Sequence, residues 1–577
     1  MTSLILLRIF SYIKKHSVFL ISAVVSAICY VGFTLAQPVL IGKAIDCMLG
    51  KGKVNFNGIA LCMLILGVCV LAASVFSWTL GVATRKLSAF AAADMRKDAF
   101  ARINITPLKQ IDNNLHGDFM SRMVNDADLV GEGILHFLTQ LLPGAATIAG
   151  TLIVMFWQNA IIALAVVLIT PLSIAFSAYL AKHTSGLFKA QSAAQGKLSG
   201  LVNEMINGKE IVEAFNYEDK CFEKFDEISE ELFTTGLKSV FYSSMSNPGT
   251  RFVNSIVYAA VGVLGAIFAV MGTVTVGQLS VFLTYANQYT KPFNEISGVL
   301  TQISSALAGA KRLFEVMDLP REKENRPNAL SPLQCAGKVD ITHVDFSYTK
   351  NRPLIIDFNL SVKPGQRIAI VGPTGCGKTT IINLLMRFYD ASRGTIAVDG
   401  NDILNINRGS LRNMYGMVLQ ETWLKNATIA DNIAYGKPDA SHEEIVCAAK
   451  ESYAHSFIKR LPSGYNTVIE PGGGNLSAGQ KQLLCIARIM LCRPDMLILD
   501  EATSSIDTRT EMLVQSAFAK LMQGRTSFVV AHRLSTIRSA DCILVMNDGQ
   551  IIERGTHDEL LQKQGFYAKL YNSQYKQ

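Results

Sequence analysis

The sequence predicts two dissimilar parts, an α-helical six-span transmembrane domain with long cytoplasmic helical arms and a C-terminal α/β domain. Almost all of the long apolar runs fall within residues 17–305, whereas residues 335–577 have the mixed composition of an ordinary soluble α/β protein. A chain of 577 residues is too long for a single hydrophobic core. Its 49% hydrophobic share and mean hydropathy of +0.27 are too high for an average soluble protein, which agrees with a membrane part.

Six apolar stretches predict the membrane spans. Each is long enough to cross a bilayer, which takes roughly 20 residues of helix. The spans are predicted near residues 17–40, 59–83, 135–157, 159–181, 251–272 and 277–300.

The two long connections between these spans, residues 84–134 and 182–250, are charged and helical in pattern. Because unstructured loops of such length are rare, we expect each to contain two helices that extend the spans into the cytoplasm and meet at a turn. The turns are predicted near 110–117 and 214–219, where Asn, Asp and Gly favour a break. An exposed aromatic residue at the tip of the second turn, such as Phe215 or Tyr217, is predicted to insert into a groove of another domain. The alternative is an ordinary solvated turn.

Positive charge predicts the orientation of the spans. Lysines and arginines precede the first span and follow the second, so both termini, both arms and the C-terminal domain are predicted to be cytoplasmic in a multi-pass protein of the cell membrane. Residues 1–15 predict a helix in the membrane interface rather than a signal peptide, because their charges follow the apolar stretch. The predicted organisation is a transmembrane domain at 1–310, a linker at 311–334 and the C-terminal domain at 335–577.

Composition also limits the partners and the redox setting. The net charge of +8 is explained by a cationic cytoplasmic membrane face, and no basic stripe interleaved with aromatic residues indicates nucleic acid as a partner. The eleven cysteines are scattered without a CxxC pair, which predicts reduced thiols rather than disulfides or a metal site.

The stretch GPTGCGKT at 372–379 fits the phosphate-loop pattern G-x-x-x-x-G-K-[ST]. It follows an apolar strand and precedes a helical run, which is the context that this motif requires. Backbone N–H groups of such a loop surround nucleotide phosphates, while a lysine reaches the β- and γ-phosphates and a hydroxyl binds Mg²⁺. The C-terminal domain is therefore predicted to be an α/β P-loop NTPase domain that binds ATP and Mg²⁺ through Gly372, Thr374, Gly375, Cys376, Gly377, Lys378, Thr379 and Thr380. The thiol inside the loop further predicts that thiol reagents inhibit ATP hydrolysis unless ATP is bound.

A buried strand at 496–501 ends in two acids. Asp500 is placed to hold Mg²⁺ together with Thr379, and Glu501 to orient or deprotonate the water that attacks the γ-phosphate. Taken alone, an apolar strand that ends in acids is more often structural. The phosphate loop upstream favours the nucleotide site.

Three single residues complete the predicted nucleotide site. Gln420 is placed to contact Mg²⁺ or the attacking water, His532 to bind the γ-phosphate, and Tyr348 to stack on adenine. Each would be structural on its own, and only their order and spacing along the chain favour a function.

With these motifs in this order, the sequence resembles an ABC exporter half-transporter along essentially its whole length. The resemblance identifies NLSAGQ at 475–480 as the family's signature motif. It implies that Ser477, Gly479 and Gln480 face the γ-phosphate bound by a partner chain, and that Asp507 communicates across that interface. It also implies alternating access driven by ATP hydrolysis, with the turns near 113 and 215 as coupling helices.

The usual signature reads L-S-G-G-Q, and this chain has Ala478 at the first glycine. The added methyl group lies where the backbone approaches a phosphate, and it costs about 1 kcal/mol if the position needs a positive φ. The string NLSAGQKQLLCIARIML also resembles the competent subunit of bacterial heterodimeric multidrug exporters. A heterodimer with a second half-transporter is therefore predicted, and a homodimer is the alternative.

Polar residues at the last two predicted spans indicate a cavity, since polar groups at that depth usually face one. Helix-packing hydrogen bonds are the alternative for the amides. The residues are Arg251, Asn254, Asn287, Gln288 and Lys291.

A mainly apolar cavity with one or two cations suits amphipathic drugs, lipids or hydrophobic peptides. The predicted function is multidrug-type export of amphipathic or hydrophobic compounds across the lipid bilayer. One alternative is a homodimeric lipid or peptide exporter. Another is an ATP-gated channel or regulatory subunit, which the intact Glu501 and His532 argue against.

Overall fold

A computed structural model describes residues 2–48, 54–112, 116–332, 334–349, 352–419, 422–500, 506–531 and 534–575. Internal contacts divide the chain into two units. The N-terminal unit contains Met1–Thr106 and Asn114–Pro320, and the C-terminal unit contains Pro107–Asn113 and Arg321–Gln577. A short piece of the first predicted arm therefore groups with the C-terminal unit.

Every element that the structure describes up to residue 320 is a helix. Two π-helical turns, Arg122–Asp126 and Phe137–Leu141, interrupt the third long helical stretch. The helices are α1 Thr2–Lys15, α2 Ser17–Met48, α3 Phe56–Asn104, α4 Leu108–Asp112, α5 His116–Ser121, α6 Ala127–His136, α7 Leu142–Gln158, α8 Ala160–Asn207, α9 Lys209–Ala214, α10 Glu218–Val270 and α11 Val276–Met317.

Three helical stretches in the described part of the chain are long and apolar enough to cross a membrane. They are Ser17–Met48, Phe56–Asn104 and Gly117–Gln158, and Asn254–Val270 is a shorter apolar helix. The first three predicted spans lie within the three long stretches. The spans predicted near 159–181, 251–272 and 277–300 stay predictions.

Polar side chains cap the helices that follow two short connections, between α7 and α8 and between α10 and α11. The Asn159 side chain accepts hydrogen bonds from the backbone N–H groups of Ile161 (3.1 Å) and Ile162 (3.3 Å), and α8 starts directly after α7. Thr275 and Gln278 form a capping box at the start of α11. Because these side chains satisfy N–H groups that the first helical turn leaves unpaired, each helix begins at its cap.

The second predicted arm turns between α9 and α10, at residues 215–217. Asn216 has a φ of +49°, a conformation that asparagine tolerates better than most residues. Phe215 and Tyr217 beside it are 76% and 49% exposed. The tip therefore carries exposed aromatic side chains, and their insertion into another domain stays a prediction.

An ion pair between the exposed Arg312 and the buried Asp126 joins α11 to the segment that follows α5 within the N-terminal unit. Asp126 is only 4% exposed, and its carboxylate accepts hydrogen bonds from Arg312 Nε at 2.8 Å and from a terminal nitrogen at 2.5 Å. The bidentate geometry fixes the register of the two helices, because a guanidinium matches a carboxylate in only a few orientations.

The C-terminal unit contains a six-stranded sheet of order β10-β9-β3-β8-β7-β6 and a four-stranded antiparallel sheet of order β2-β1-β4-β5. In the larger sheet only the β9–β10 pair is antiparallel. The strands are β1 Val339–Phe346, β2 Ile355–Val362, β3 Arg367–Val371, β4 Arg393–Val398, β5 Asn401–Asp402, β6 Tyr415–Val418, β7 Met496–Asp500, β8 Thr526–Val530, β9 Cys542–Asn547 and β10 Gln550–Gly555.

Helices cover this sheet. The remaining helices of the unit are α12 Lys378–Leu385, α13 Arg408–Met414, α14 Ile429–Ile433, α15 His442–Glu451, α16 His455–Ile458, α17 Ala478–Cys492, α18 Thr508–Met522, α19 Leu534–Arg538, α20 His557–Gln562 and α21 Phe566–Tyr575.

The central strands of the larger sheet are buried on both faces. Alternate residues of β7 belong to two separate apolar clusters, with Leu497 and Leu499 in one and Met496 and Ile498 in the other. Continuous apolar strands of this kind are typical of parallel sheets with helices on both sides. The predicted α/β fold of the C-terminal domain is confirmed.

The strand register brings two predicted site segments to one edge of the sheet. Val530 of β8 pairs with Ile370 of β3 on one side and with Asp500 of β7 on the other. The phosphate loop, which leaves β3, and Asp500 therefore lie at the same carboxyl edge, where α/β sheets bind ligands.

Candidate functional site

Glycines shape the loop between β3 and α12. Gly375 and Gly377 have φ values of +85° and +103°, in the region that favours glycine. A Cβ atom added at Gly372 would lie 2.2 Å from the carbonyl oxygen of Met546, and one added at Gly377 would lie 2.7 Å from Ile355. The loop accordingly needs glycine at these positions, as the motif predicts.

Lys378 is the first residue of α12 and is only 8% exposed. Its Nζ donates hydrogen bonds to the carbonyl oxygens of Gly372 (2.8 Å) and Pro373 (3.0 Å), so the ammonium lies inside the loop. Thr374 and Thr379 are exposed, whereas Thr380 is buried. The arrangement combines one cation with the positive end of a helix, which together attract phosphate.

Cys376 lies in the loop, but its side chain faces the protein interior. It is 4% exposed and belongs to the apolar cluster that packs β1 and β2 against the sheet. Burial raises the pKa of its thiol, and the nearby Lys378 ammonium only partly offsets that effect. Both features favour a slowly reacting thiol, and inhibition of ATP hydrolysis by thiol reagents stays a prediction.

We expect Cys376 to react with N-ethylmaleimide at least about tenfold more slowly than the exposed Cys447, with or without ATP. Peptide mass spectrometry of the alkylated full-length chain over time measures both rates. Equal rates for the two thiols in the absence of ATP would contradict the buried position of Cys376.

Tyr348, the predicted adenine-stacking residue, stands above the start of α12. Its hydroxyl lies 3.3 Å from the Thr380 hydroxyl and accepts a hydrogen bond from the Asn383 side-chain amide at 3.2 Å. Edge-to-face contacts with Phe346 (4.9 Å between centroids) and Tyr389 (5.0 Å) orient its ring. The ring remains 38% exposed, and Tyr389, which the sequence does not single out, supports it.

The three predicted catalytic residues fall outside the described part of the chain. Gln420, Glu501 and His532 lie outside the described residues, so their catalytic and metal-binding roles stay predictions. Asp500 ends β7 and is 7% exposed.

The predicted signature forms the start of α17. Ser477 caps the helix: its hydroxyl accepts from the Gln480 backbone N–H at 3.3 Å, and the Gln480 side chain accepts from the Ser477 N–H at 2.9 Å. Gly479 is buried, and a Cβ atom added there would lie 2.3 Å from Cγ2 of Thr510 and 3.0 Å from Cγ2 of Ile506. The S-x-x-Q spacing is thus a capping box, and the glycine permits contact with the start of α18.

Ala478 does not occupy a strained conformation. It is the first residue of α17, is exposed, and is absent from the residues with positive φ. The strain that alanine would suffer at a left-handed position therefore does not arise, which corrects that part of the argument for an impaired site.

Asp507 caps α18. Its side chain accepts a hydrogen bond from the Thr510 backbone N–H at 2.9 Å, and this bond lowers the pKa of the carboxyl group. A charged cap at a helix N-terminus is sufficient to explain its local role. Its predicted communication with a partner stays a prediction.

Four of the five polar residues singled out in the last two predicted spans line one cavity of about 430 Å³ in the N-terminal unit. The cavity has a size typical of small-molecule sites. Gln288 does not line it, and the Oε1 atom of Gln288 is buried without a hydrogen-bond partner among the described residues. The lining residues are Arg251, Asn254, Ser255, Tyr258, Asn287, Thr290 and Lys291.

Both parts of the chain match known protein families. Residues 20–293 match the ABC transporter transmembrane region, and residues 355–504 match the ABC transporter family. A fatty acid ABC transporter ATP-binding/permease protein of Mycobacterium bovis is 40% identical over 82% of this chain and 75% of its own length. A putative multidrug export ATP-binding/permease protein of Staphylococcus aureus is 34% identical over 98% of this chain and 99% of its own length.

A solved structure extends this likeness to the whole fold. The structure of a bacterial Atm1-family ABC exporter with ATP bound has a TM-score of 0.79 and 27% sequence identity, and the match covers 96% of this chain and 98% of that chain.

Proposed function

This chain belongs to the ABC transporter family, as an exporter half-transporter with a fused membrane domain and ATPase domain, and from that premise we propose that it exports amphipathic or hydrophobic compounds. Export proceeds by alternating access across the cell membrane, with both termini and the ATPase domain in the cytoplasm. The observation that carries the proposal is the phosphate loop on a chain whose N-terminal unit is built of long apolar helices.

The loop fits the triphosphate of ATP. A Cβ would clash at Gly372 and Gly377, Gly375 has a positive φ, and the buried Nζ of Lys378 provides the cation inside the loop. The Thr379 hydroxyl, Gln420 and Asp500 would hold Mg²⁺, which prefers such oxygen ligands and neutralises phosphate charge when bound. Tyr348 would hold the adenine with its exposed ring.

Hydrolysis uses two residues that the sequence places directly after strand β7 and near the end of strand β8. Glu501 orients or deprotonates the attacking water, and His532 binds the γ-phosphate. Ser477, Gly479 and Gln480 of this chain complete the nucleotide site of the partner chain from the other side, with Asp507 close to the interface. Closure of the ATPase domains is carried to the membrane helices by the turns near 113 and 215.

The transported compound binds between the last two spans. The cavity there is lined by Arg251, Asn254, Asn287 and Lys291, and polar groups within membrane helices usually face a substrate path. Its volume of about 430 Å³ suits a small amphipathic molecule. A lipid or peptide exported by a homodimer is the second candidate, supported by the fatty acid relative.

The partner is a second half-transporter. The likeness of NLSAGQKQLLCIARIML to the competent subunits of heterodimeric exporters supports a heterodimer. The unstrained Ala478 is equally compatible with a homodimer, so the conformation of the signature does not separate the two.

The experiment that tests the proposal uses the full-length chain purified alone in lipid nanodiscs. Mass photometry gives the subunit number, and ATP hydrolysis is measured beside the Glu501→Gln variant. A dimer whose hydrolysis is lost in the variant identifies a homodimer. An inactive chain that a second half-transporter activates identifies a heterodimer.

Transport itself is measured in proteoliposomes with a fluorescent amphiphile. ATP-dependent movement that Glu501→Gln abolishes supports export. Movement that continues undiminished in Glu501→Gln contradicts an ATP-driven pump and favours a gated channel or regulatory subunit.

A further inference from the structure

Tyr389 connects the aromatic cluster above the phosphate loop to the first cytoplasmic arm. Its ring lies 5.0 Å from that of Tyr348 at 88°, and 5.7 Å from that of Phe346 at 74°. Its hydroxyl donates a 2.6 Å hydrogen bond to Oδ2 of Asp112, the last residue of α4. A single side chain thus contacts both the proposed adenine-binding residue and the short helix that follows α3.

The turn that carries Tyr389 is tied by hydrogen bonds to the helical turn that follows β5. Arg387 is 5% exposed and has a φ of +50°, and its guanidinium donates to the carbonyl oxygens of Ile403 and Ile406, both at 3.0 Å. A non-glycine residue keeps such a conformation only where its surroundings impose it. Because α12 ends at Leu385, any displacement of the phosphate-loop helix is carried to Tyr389 through this stiff turn.

The Tyr389 hydroxyl is the donor of the short hydrogen bond to Asp112. Tyr389 is 6% exposed, and burial together with the neighbouring Asp112 carboxylate raises the pKa of its hydroxyl. The hydroxyl therefore stays protonated throughout the physiological pH range and donates. A hydroxyl that donates to a carboxylate forms a charge-assisted bond, roughly twice as strong as a neutral one.

Asp112 belongs to the segment that groups with the C-terminal unit, and the chain around it leads into the membrane helices. Helix α4 begins at Leu108, soon after α3 ends at Asn104, and α3 carries the second predicted span. A constraint placed on α4 is therefore passed along the backbone to a membrane helix.

We propose that Tyr389 is the positioning residue that links the base side of the nucleotide site to the first cytoplasmic arm. This inference deepens the proposed function and rests on it. A purine base that stacks on Tyr348 fixes that ring, which in turn holds Tyr389 and, through its hydroxyl, Asp112. Loss of the Tyr389 hydroxyl breaks the link without removing any residue that holds the phosphates.

The test uses the full-length protein in its dimer, reconstituted in nanodiscs and in proteoliposomes. The variants are Tyr389→Phe, Asp112→Asn and the double variant. The matched control is Tyr415→Phe, because Tyr415 is 5% exposed in the same unit and its hydroxyl is without a hydrogen-bond partner within the described chain. Hydrogen exchange of the α4 amides with and without ATP is measured in nanodiscs, and the compound moved per ATP hydrolysed is measured in proteoliposomes.

We expect ATP to slow exchange in α4 of the wild-type protein, and Tyr389→Phe and Asp112→Asn each to remove most of that protection. The amount moved per ATP should fall about tenfold in each, as expected for one charge-assisted hydrogen bond. The double variant should be no worse than either single variant, because both remove the same bond. Tyr415→Phe should match the wild type.

Several results would overturn the link: no ATP-dependent protection of α4 in the wild type, equal protection in Tyr389→Phe, or an equal loss in Tyr415→Phe. Hydrogen exchange needs no transported compound. A wild-type protein that protects α4 with ATP but moves nothing would therefore contradict the proposed export and leave this link standing.

Discussion

Replacing Lys378 by alanine is expected to lower ATP hydrolysis at least about 100-fold, since removal of one preorganised charged donor typically costs that much. The Lys378 ammonium is the cation that the structure places inside the phosphate loop, at hydrogen-bond distance from the carbonyls of Gly372 and Pro373. Lys378→Arg should be nearly as inactive, because a planar guanidinium does not fit a loop that leaves the side chain only 8% exposed.

Hydrolysis is measured by phosphate release in nanodiscs, and nucleotide affinity by a fluorescent ATP analogue. Lys363→Ala is the matched control, since it removes an exposed lysine from the same unit and should leave both quantities unchanged. If Lys378→Ala retained a tenth or more of the wild-type rate, the phosphate loop would not be the hydrolytic site.

The phosphate loop was predictable from the sequence because its geometry is local. Left-handed glycines, a helix that starts at Lys378 and the preceding apolar strand all follow from neighbouring residues. The caps at Asn159 and Thr275 are local in the same way, since capping depends on residues within one turn.

Contacts between distant segments were not predictable in this way. The Tyr389–Asp112 bond joins residues that are far apart in sequence, and no local pattern marks either as a partner. The side-chain direction of Cys376 likewise depends on the apolar cluster behind the loop rather than on the motif. Ala478 shows the limit of comparing motifs: a missing glycine suggests strain only where the backbone requires a positive φ, and here it does not.

A substitution at Gly479, near the start of α17, is expected to have the second large effect. Gly479→Ala should lower ATP hydrolysis about tenfold and destabilise the protein by about 1–3 kcal/mol, the usual cost of overpacking. The new Cβ would lie 2.3 Å from Cγ2 of Thr510, so α17 and α18 must separate. Ser477, which caps α17, and Asp507, which caps α18, would both shift with their helices.

Two further variants give this prediction its control and its rescue. Thr510→Ser deletes the methyl group that the new Cβ would meet, so Gly479→Ala combined with Thr510→Ser should recover much of the activity and of the unfolding temperature. Ala478→Gly changes the neighbouring, exposed residue and should alter stability by less than about 1 kcal/mol. A double variant no better than Gly479→Ala would show that the clash is not the cause.

The activity of Ala478→Gly also bears on the partner. A rate within about twofold of the wild type means that the methyl group is tolerated, as a homodimer with two working sites requires. A rise of severalfold means that the methyl group itself hinders the site that this signature completes. That result would support a pair of unequal sites. The signature of this chain would complete a hindered site on a second half-transporter, whereas Lys378 and Asp500 of this chain would work with the signature of that partner.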